Sequence, residues 1–190
     1  MALTVRKLSL RLGAVLLSAV ASLALVTGPA YADVVYDDSF EGNPADRWGG
    51  IPWGDGSNGF DIGRGLARTG ANNGWLLAEN GGSALAHHEY FPNSAGQCAA
   101  QIYVKPSSND TFMVLEVWGL DPNSSGVYEW RRRNYKEQRL NSGSYQAVGF
   151  GTTASTFGGT RELHYRVFLH GGGPGQLKMA RLDDFYARCW

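Results

Sequence analysis

Short runs of alternating or β-branched residues follow one another along most of this 190-residue chain: "DVVYDDSF", "GWLLAEN", "SALAHHEYF", "QCAAQIYVKP", "TFMVLEVWGL", "GVYEWRRR", "YQAVGF", "ELHYRVFLH" and "QLKMARLDDFYARC". The segments between them, such as "KPSSND" and "LDPNSSG", are rich in Gly, Asn, Ser and Pro. A side-chain period of two with turn clusters at this spacing predicts an all-β, two-sheet antiparallel sandwich or a barrel. A βαβ fold is disfavoured, because its crossovers need amphipathic helices. The one stretch with helical character, "NYKEQRLN", lacks an apolar stripe. "RWGGIPWGDGSNG" sets two tryptophans among glycines and reads as a loop, and "GGGPG" at 171–175 reads as a turn between strands. No internal repeat or linker interrupts the pattern, so one domain is expected.

The N-terminus has a different character. Arg6, Lys7 and Arg11 precede an apolar run from Leu12 to Val26, which closes on Ala30, Tyr31 and Ala32. This is the pattern of a secretory signal peptide over residues 1–32, with a secreted, extracellular domain over 33–190. The apolar run is shorter than the roughly 20 residues that cross a bilayer. Basic and acidic residues are equal in number, 17 each, so loss of the three N-terminal bases leaves the domain net acidic. Its only basic run is Arg131 to Arg133. That balance argues against nucleic acid and anionic membranes as partners and suits a neutral ligand. Cys98 and Cys189 are the only cysteines, and in an oxidising compartment they read as one disulfide.

The segment from Thr111 to Arg133 invites a pairing. With "GLDPNSSG" as the connection, Trp118 lies opposite Val127, Val117 faces Tyr128, Leu115 faces Trp130 and Glu116 faces Glu129. The middle two pairs would be core, which assigns Trp130 to the interior. The last sets like charges across a strand pair, with Arg131 as the nearby cation.

"DDSFEG", "QCAAQIYVKP", "YQAVGFGTTAS" and "LKMARLDDFYA" occur in that order over nearly all of the expected domain. Together they resemble carbohydrate-binding modules of the galactose-binding-like jelly-roll superfamily, particularly families four, nine and twenty-two. The resemblance implies a two-sheet sandwich with a structural calcium ion tying the first strand to the last. It places the ion's carboxylates at Glu41 and at Asp183 or Asp184, with Asp38 as an outside candidate. Calcium's demand for 6–8 hard oxygen ligands in flexible geometry is met by such carboxylates plus backbone carbonyls. Alternation puts Asp183 and Asp184 on opposite faces, and Asp183 is favoured for sharing its parity with Phe185. The resemblance also places the strands of Cys98 and Cys189 in one sheet, where a bridge would fasten the final strand.

Sugar rings present C–H faces that pack on aromatic rings, and hydroxyls that need both donors and acceptors. Candidate platforms are Trp48, Trp53, Trp75, Trp118 and Trp190, with Gln101, Tyr103, Glu116, Glu129 and Arg131 lining a groove. The function expected from the resemblance is non-catalytic binding, by a monomer, of a polysaccharide or oligosaccharide such as a glucan or xylan. Two alternatives stand beside it. Glu116 and Glu129 are the one pair placed face to face for glycoside hydrolysis, although adjacent strands do not offer opposite sides of a sugar ring. The other is a structural or adhesion protein that keeps the fold without binding sugar.

Overall fold

A computed structural model describes residues 34–87, 91–92, 97–151, 160 and 162–190, with residues 34, 91 and 92 described by backbone alone. The expected signal peptide lies outside the described residues. The described residues form twelve strands: β1 (Val34–Asp38), β2 (Trp48–Trp53), β3 (Ser57–Asp61), β4 (Asn73–Ala78), β5 (Gly82–His87), β6 (Phe91–Pro92), β7 (Cys98–Pro106), β8 (Thr111–Pro122), β9 (Tyr128–Leu140), β10 (Gln146–Phe150), β11 (Glu162–His170) and β12 (Lys178–Cys189). The first sheet has the order β10-β7-β12-β4-β3, with β1 also paired to β12. The second has the order β2-β5-β11-β8-β9, with β6 on β11. All pairings among the described residues are antiparallel, so the protein is the expected β-sandwich.

Alternation places the core. On β7, Cys98, Ala100, Ile102 and Val104 turn inward; on β8, Met113, Leu115 and Val117; on β11, Leu163, Tyr165, Val167 and Leu169. Phe40, Trp48 and Phe185 close one end, with Phe40 stacked on Trp48 at 5.1 Å between ring centroids. Trp48 is therefore core and not a ligand platform: it is 1% exposed, and its indole N–H donates to Asp38 Oδ2 at 2.7 Å.

Three local expectations are corrected. All of "NYKEQRLN" but its last residue lies within β9, a strand of 13 residues, because pairing along β8 overrides a weak helix preference. "RWGGIPWGDGSNG" is not a loop but β2 and β3, joined by a tight turn in which Gly56 N–H donates to the Trp53 carbonyl. The β8–β9 connection is shorter than expected, because the Asn123 side chain accepts N–H bonds from Ser125 and Val127 and closes the turn locally. Leu120, not Leu115, then faces Trp130, and Glu116 faces Tyr135. The difference of five residues is odd, so it turns Trp130 from the core to the outer face. Glu129 pairs with Asp121 instead of Glu116, which dissolves the proposed carboxylate pair.

The end of β12 carries the crosslink expected of the two cysteines. Cys189 is the direct register partner of Cys98, and the two are disulfide-bonded across a sequence separation of 91. For a loop of that length the chain-entropy treatment gives roughly 4–5 kcal/mol. Replacing both cysteines by serine should lower the unfolding free energy by roughly 2–5 kcal/mol. Equilibrium denaturant titration checks this, and an unchanged midpoint would contradict it.

Candidate functional site

The outward-facing residues of the second sheet form a band of aromatic rings. β11 contributes His164, Arg166, Phe168 and His170, the set that alternates with its four core residues. β8 contributes Phe112, Glu116 and Trp118; β9 contributes Trp130, Arg132 and Tyr135; β2 contributes Trp53. At one end Trp53 lies 4.5 Å from Phe168, and Phe112 lies 5.1 Å from His170, centroid to centroid. Trp53 reaches Phe168 by lying across Gly82 of β5, where a Cβ would stand 1.7 Å from the indole. At the other end Trp130 stacks on His164 at 4.3 Å and an interplanar angle of 13°. Between the two groups sits Arg166, its guanidinium carbon 4.6 Å from the Trp118 ring centre and 5.6 Å from that of Phe168. Beyond His170 a cavity of about 230 Å³, lined by Phe112, Arg139, His170 and Lys178 among others, prolongs the band.

Polar groups are interleaved with these rings. Glu116, 6% exposed, accepts from the Trp118 indole N–H at 2.8 Å and from Arg132 at 2.9 Å. Arg132 also lies over Tyr135, at 4.4 Å. Burial, aided by the charge of Arg166 and by His87, pushes the His164 pKa down to about 4. Burial likewise lowers that of Arg166, with the charge of Glu116 opposing; a guanidinium stays protonated regardless. Aromatic faces, an arginine fork, a carboxylate and the neutral imidazole of His164 on one surface are the ingredients for holding a hydroxylated ring.

The structure brings together Trp53, Trp118 and Glu116 from the expected site residues, and adds Trp130, which had been assigned to the core. The others lie elsewhere. Trp75, Gln101 and Tyr103 project from the outer face of the first sheet, on the opposite side of the sandwich, so no single groove holds them with Glu116. Trp75 lies flat over Gly59, whose added Cβ would stand 2.8 Å from the ring, and it lines a separate depression of about 410 Å³ with Arg181 and Met179. Arg68 covers Tyr103 at 3.7 Å. Glu129 and Arg131 have the opposite parity on β9 from Trp130, and ion-pair with each other at 3.3 Å on the surface. Trp190 lies under Arg188 at the end of the first sheet. Arg166, Phe168 and Phe112 were not singled out from the sequence, although the alternation of "ELHYRVFLH" already put an arginine and a phenylalanine opposite four apolar residues.

The carboxylates expected to hold calcium lie around one loop. Glu41 Oε1 accepts from the Ala71 and Asn72 N–H groups at 2.7 and 2.9 Å. Asp183 Oδ2 accepts from the Arg68 and Thr69 N–H groups at 2.5 and 3.0 Å. Asp184 takes the Arg68 guanidinium and the Thr69 hydroxyl. Both aspartates thus face the same loop, and Asp183 does not share the parity of Phe185. A bulge between Asp183 and Tyr186, with Asp184 at φ 45°, resets the alternation. Asp38 is taken by Arg47 Nε at 2.8 Å and by Trp48. Burial works to raise its pKa, but these hydrogen bonds and that of Phe40 N–H hold it below the ordinary carboxylate range. Among the described residues no three His, Cys, Asp or Glu side chains cluster closely enough to hold a metal ion by themselves. A calcium ion beside Glu41 and Asp183 would therefore draw on backbone carbonyls, a donor set its chemistry accepts.

His164 yields a pH prediction. Its pKa lies below that of an unfolded histidine, so the unfolded chain binds the extra proton. Between about pH 6.5 and pH 4 this residue's contribution to stability should fall as pH falls. Thermal midpoints of the wild type should drop more steeply through that window than those of His164→Phe, and parallel curves would contradict the assignment.

No protein-family model matches the chain, and no curated protein matches it in sequence. Solved structures do match. The family 22 module CBM22-1 of Clostridium thermocellum endo-1,4-beta-D-xylanase 10B, in a chain with its GH10 module and in complex with xylohexaose, matches at a TM-score of 0.61 and 11% identity. That match covers 81% of this chain and 28% of the two-module chain. The CBM22-1 xylan-binding domain of Paenibacillus barcinonensis Xyn10C matches at 0.59 and 14% identity, covering 84% of this chain and 97% of that one. The C-terminal family 22 module of the Clostridium enzyme matches at 0.55 and 12%, covering 81% and 92%. The architecture built by this sequence is the jelly roll of family 22 carbohydrate-binding modules.

Proposed function

We propose that this is a secreted, non-catalytic carbohydrate-binding protein that acts as a monomer and holds a polysaccharide such as xylan or β-glucan on the outer face of the second sheet. One observation carries the reading: Trp53, Phe168, Trp118 and Trp130 share that face with Glu116, Arg132 and Arg166. Rings that stack on sugar C–H faces stand beside groups that take hydroxyls. The matched modules support the choice of glycan, since one is named a xylan-binding domain and another is in complex with xylohexaose. Hydrolysis has less support, because Glu116 is committed to Arg132 and Trp118 and no second carboxylate faces it across the pair. In affinity electrophoresis the protein should be retarded by xylan or β-glucan. Trp53→Ala and Trp118→Ala should each weaken binding by about tenfold or more, the equivalent of 1.4 kcal/mol. No retardation in xylan, β-glucan or galactan gels would overturn the reading in favour of a structural role.

The same proposal includes a structural calcium ion held by Glu41 and Asp183. Among the described residues five carboxylates are buried, at Asp38, Asp61, Glu116, Asp121 and Asp183. The first four each face an arginine: Arg47, Arg181, Arg132 and Arg133. Asp183 accepts only N–H groups, so a cation would complete its environment as arginine completes the others. A chelator should lower the thermal midpoint, added calcium should restore it, and Asp183→Asn should abolish the response. Metal-free undialysed protein with a chelator-insensitive midpoint would refute it.

A further inference from the structure

Arg166 stands at the centre of the aromatic face, in ion-pair contact with no carboxylate among the described residues. Eight other arginines of the described residues are each in contact with a carboxylate. Arg166 has neither a hydrogen bond nor an ion pair among the described residues, and its buried Nε has no acceptor. The carboxylate positioned to serve it is Glu116, its register partner on β8. Glu116 is instead spent on Arg132 and on the Trp118 indole. The three side chains Glu116, Arg132 and Arg166 thus carry one surplus positive charge, held between the Trp118 and Phe168 rings.

Among the described residues the other flank presents no acceptor either. Across β5 and β2 the residues in register with Arg166 are Ala86 and Gly49, which have no side chain long enough to reach it. A half-buried guanidinium without an acceptor is costly, because burial removes water while nothing replaces it. Stacking on Trp118 recovers part of that cost but leaves the in-plane N–H donors unused. Those donors form a planar fork that matches a carboxylate in bidentate geometry, far better than a lone hydroxyl.

Building on the glycan-binding reading of this face, we propose that Arg166 receives the carboxylate of a uronic acid residue, so that the ligand is an acidic, uronate-bearing glycan. Sugar rings before and after the uronate then lie against Trp53 and Phe168 on one side and Trp118 and Trp130 on the other. The net acidic balance of the expected domain, which by itself suits a neutral ligand, is overridden at short range by this local surplus of positive charge.

The test compares glucuronoxylan and polygalacturonate with their carboxyl-reduced forms, by affinity electrophoresis and calorimetry on the wild-type protein. At least one native polymer should bind about tenfold or more tightly than its reduced form, and the difference should shrink in 0.5 M salt, as about a 10 Å screening length at 0.1 M contracts further. Arg166→Gln should bind native and reduced polymers alike, at the level of the wild type on reduced polymer. Arg166→Lys, which keeps charge and loses the fork, should retain part of the preference. Equal binding of native and reduced polymers, or binding confined to neutral xylan or β-glucan, would overturn the uronate assignment and leave the glycan-binding face standing. Failure to bind any polymer, charged or neutral, would overturn both.

Discussion

The final strand is the centre of the first sheet, and the rest of the molecule is arranged around that fact. β12 pairs with β7 along nearly its whole length. On its other edge it pairs with β4 from Lys178 to Leu182 and with β1 from Phe185 to Cys189. The exchange of partners falls at the bulge where Asp183 and Asp184 lie. A straight strand would keep one neighbour; the extra residue bends it and frees two carboxylates to face outward. Those carboxylates take the backbone and side chains of residues 68–69, and so seal the loop across the join. The two adjacent aspartates inside β12 therefore mark where that strand exchanges β4 for β1. The disulfide to Cys98 closes the same strand at its far end.

The second sheet has a different task. Its inner face is apolar, so the core holds it against the first sheet, while its outer face is free to carry chemistry. Aromatic rings there are spaced by the sheet itself, two residues along a strand and one strand across. Asp38 links the two sheets at one edge, accepting from Arg47 and from the core residue Trp48 at the start of β2. Packing at the β1 end of the first sheet thereby positions the edge strand that delivers Trp53 to the outer face.

Much of this was legible in the residues. Most of the strands, the antiparallel sandwich and the cysteine pair followed from period, turn composition and cysteine count. The family resemblance rested on four weak motifs in order, and solved structures with only 11–14% identity share the fold. What failed was register. A connection judged by composition put Trp130 in the core and Glu116 opposite Glu129, and one side chain, Asn123, was enough to close the turn elsewhere. β2 and β3 were hidden for a related reason: Gly, Pro and Trp outnumber β-branched residues in them, and pairing with β5 and β4 makes them strands.

The sequence by itself determined which residues alternate, and therefore which side chains along each strand share a face. It also determined the crosslink, because only two cysteines exist. Tertiary structure alone decided which faces belong together. Gln101 and Glu116 lie on outward faces of opposite sheets, whereas Trp53 and Phe168, more than a hundred residues apart in sequence, are in contact. The physical reason is that alternation is local, set by the pleat of one strand, while the meeting of two strands depends on sheet order and register. Those are chosen by the packing of the whole core, and no short stretch of chain encodes them.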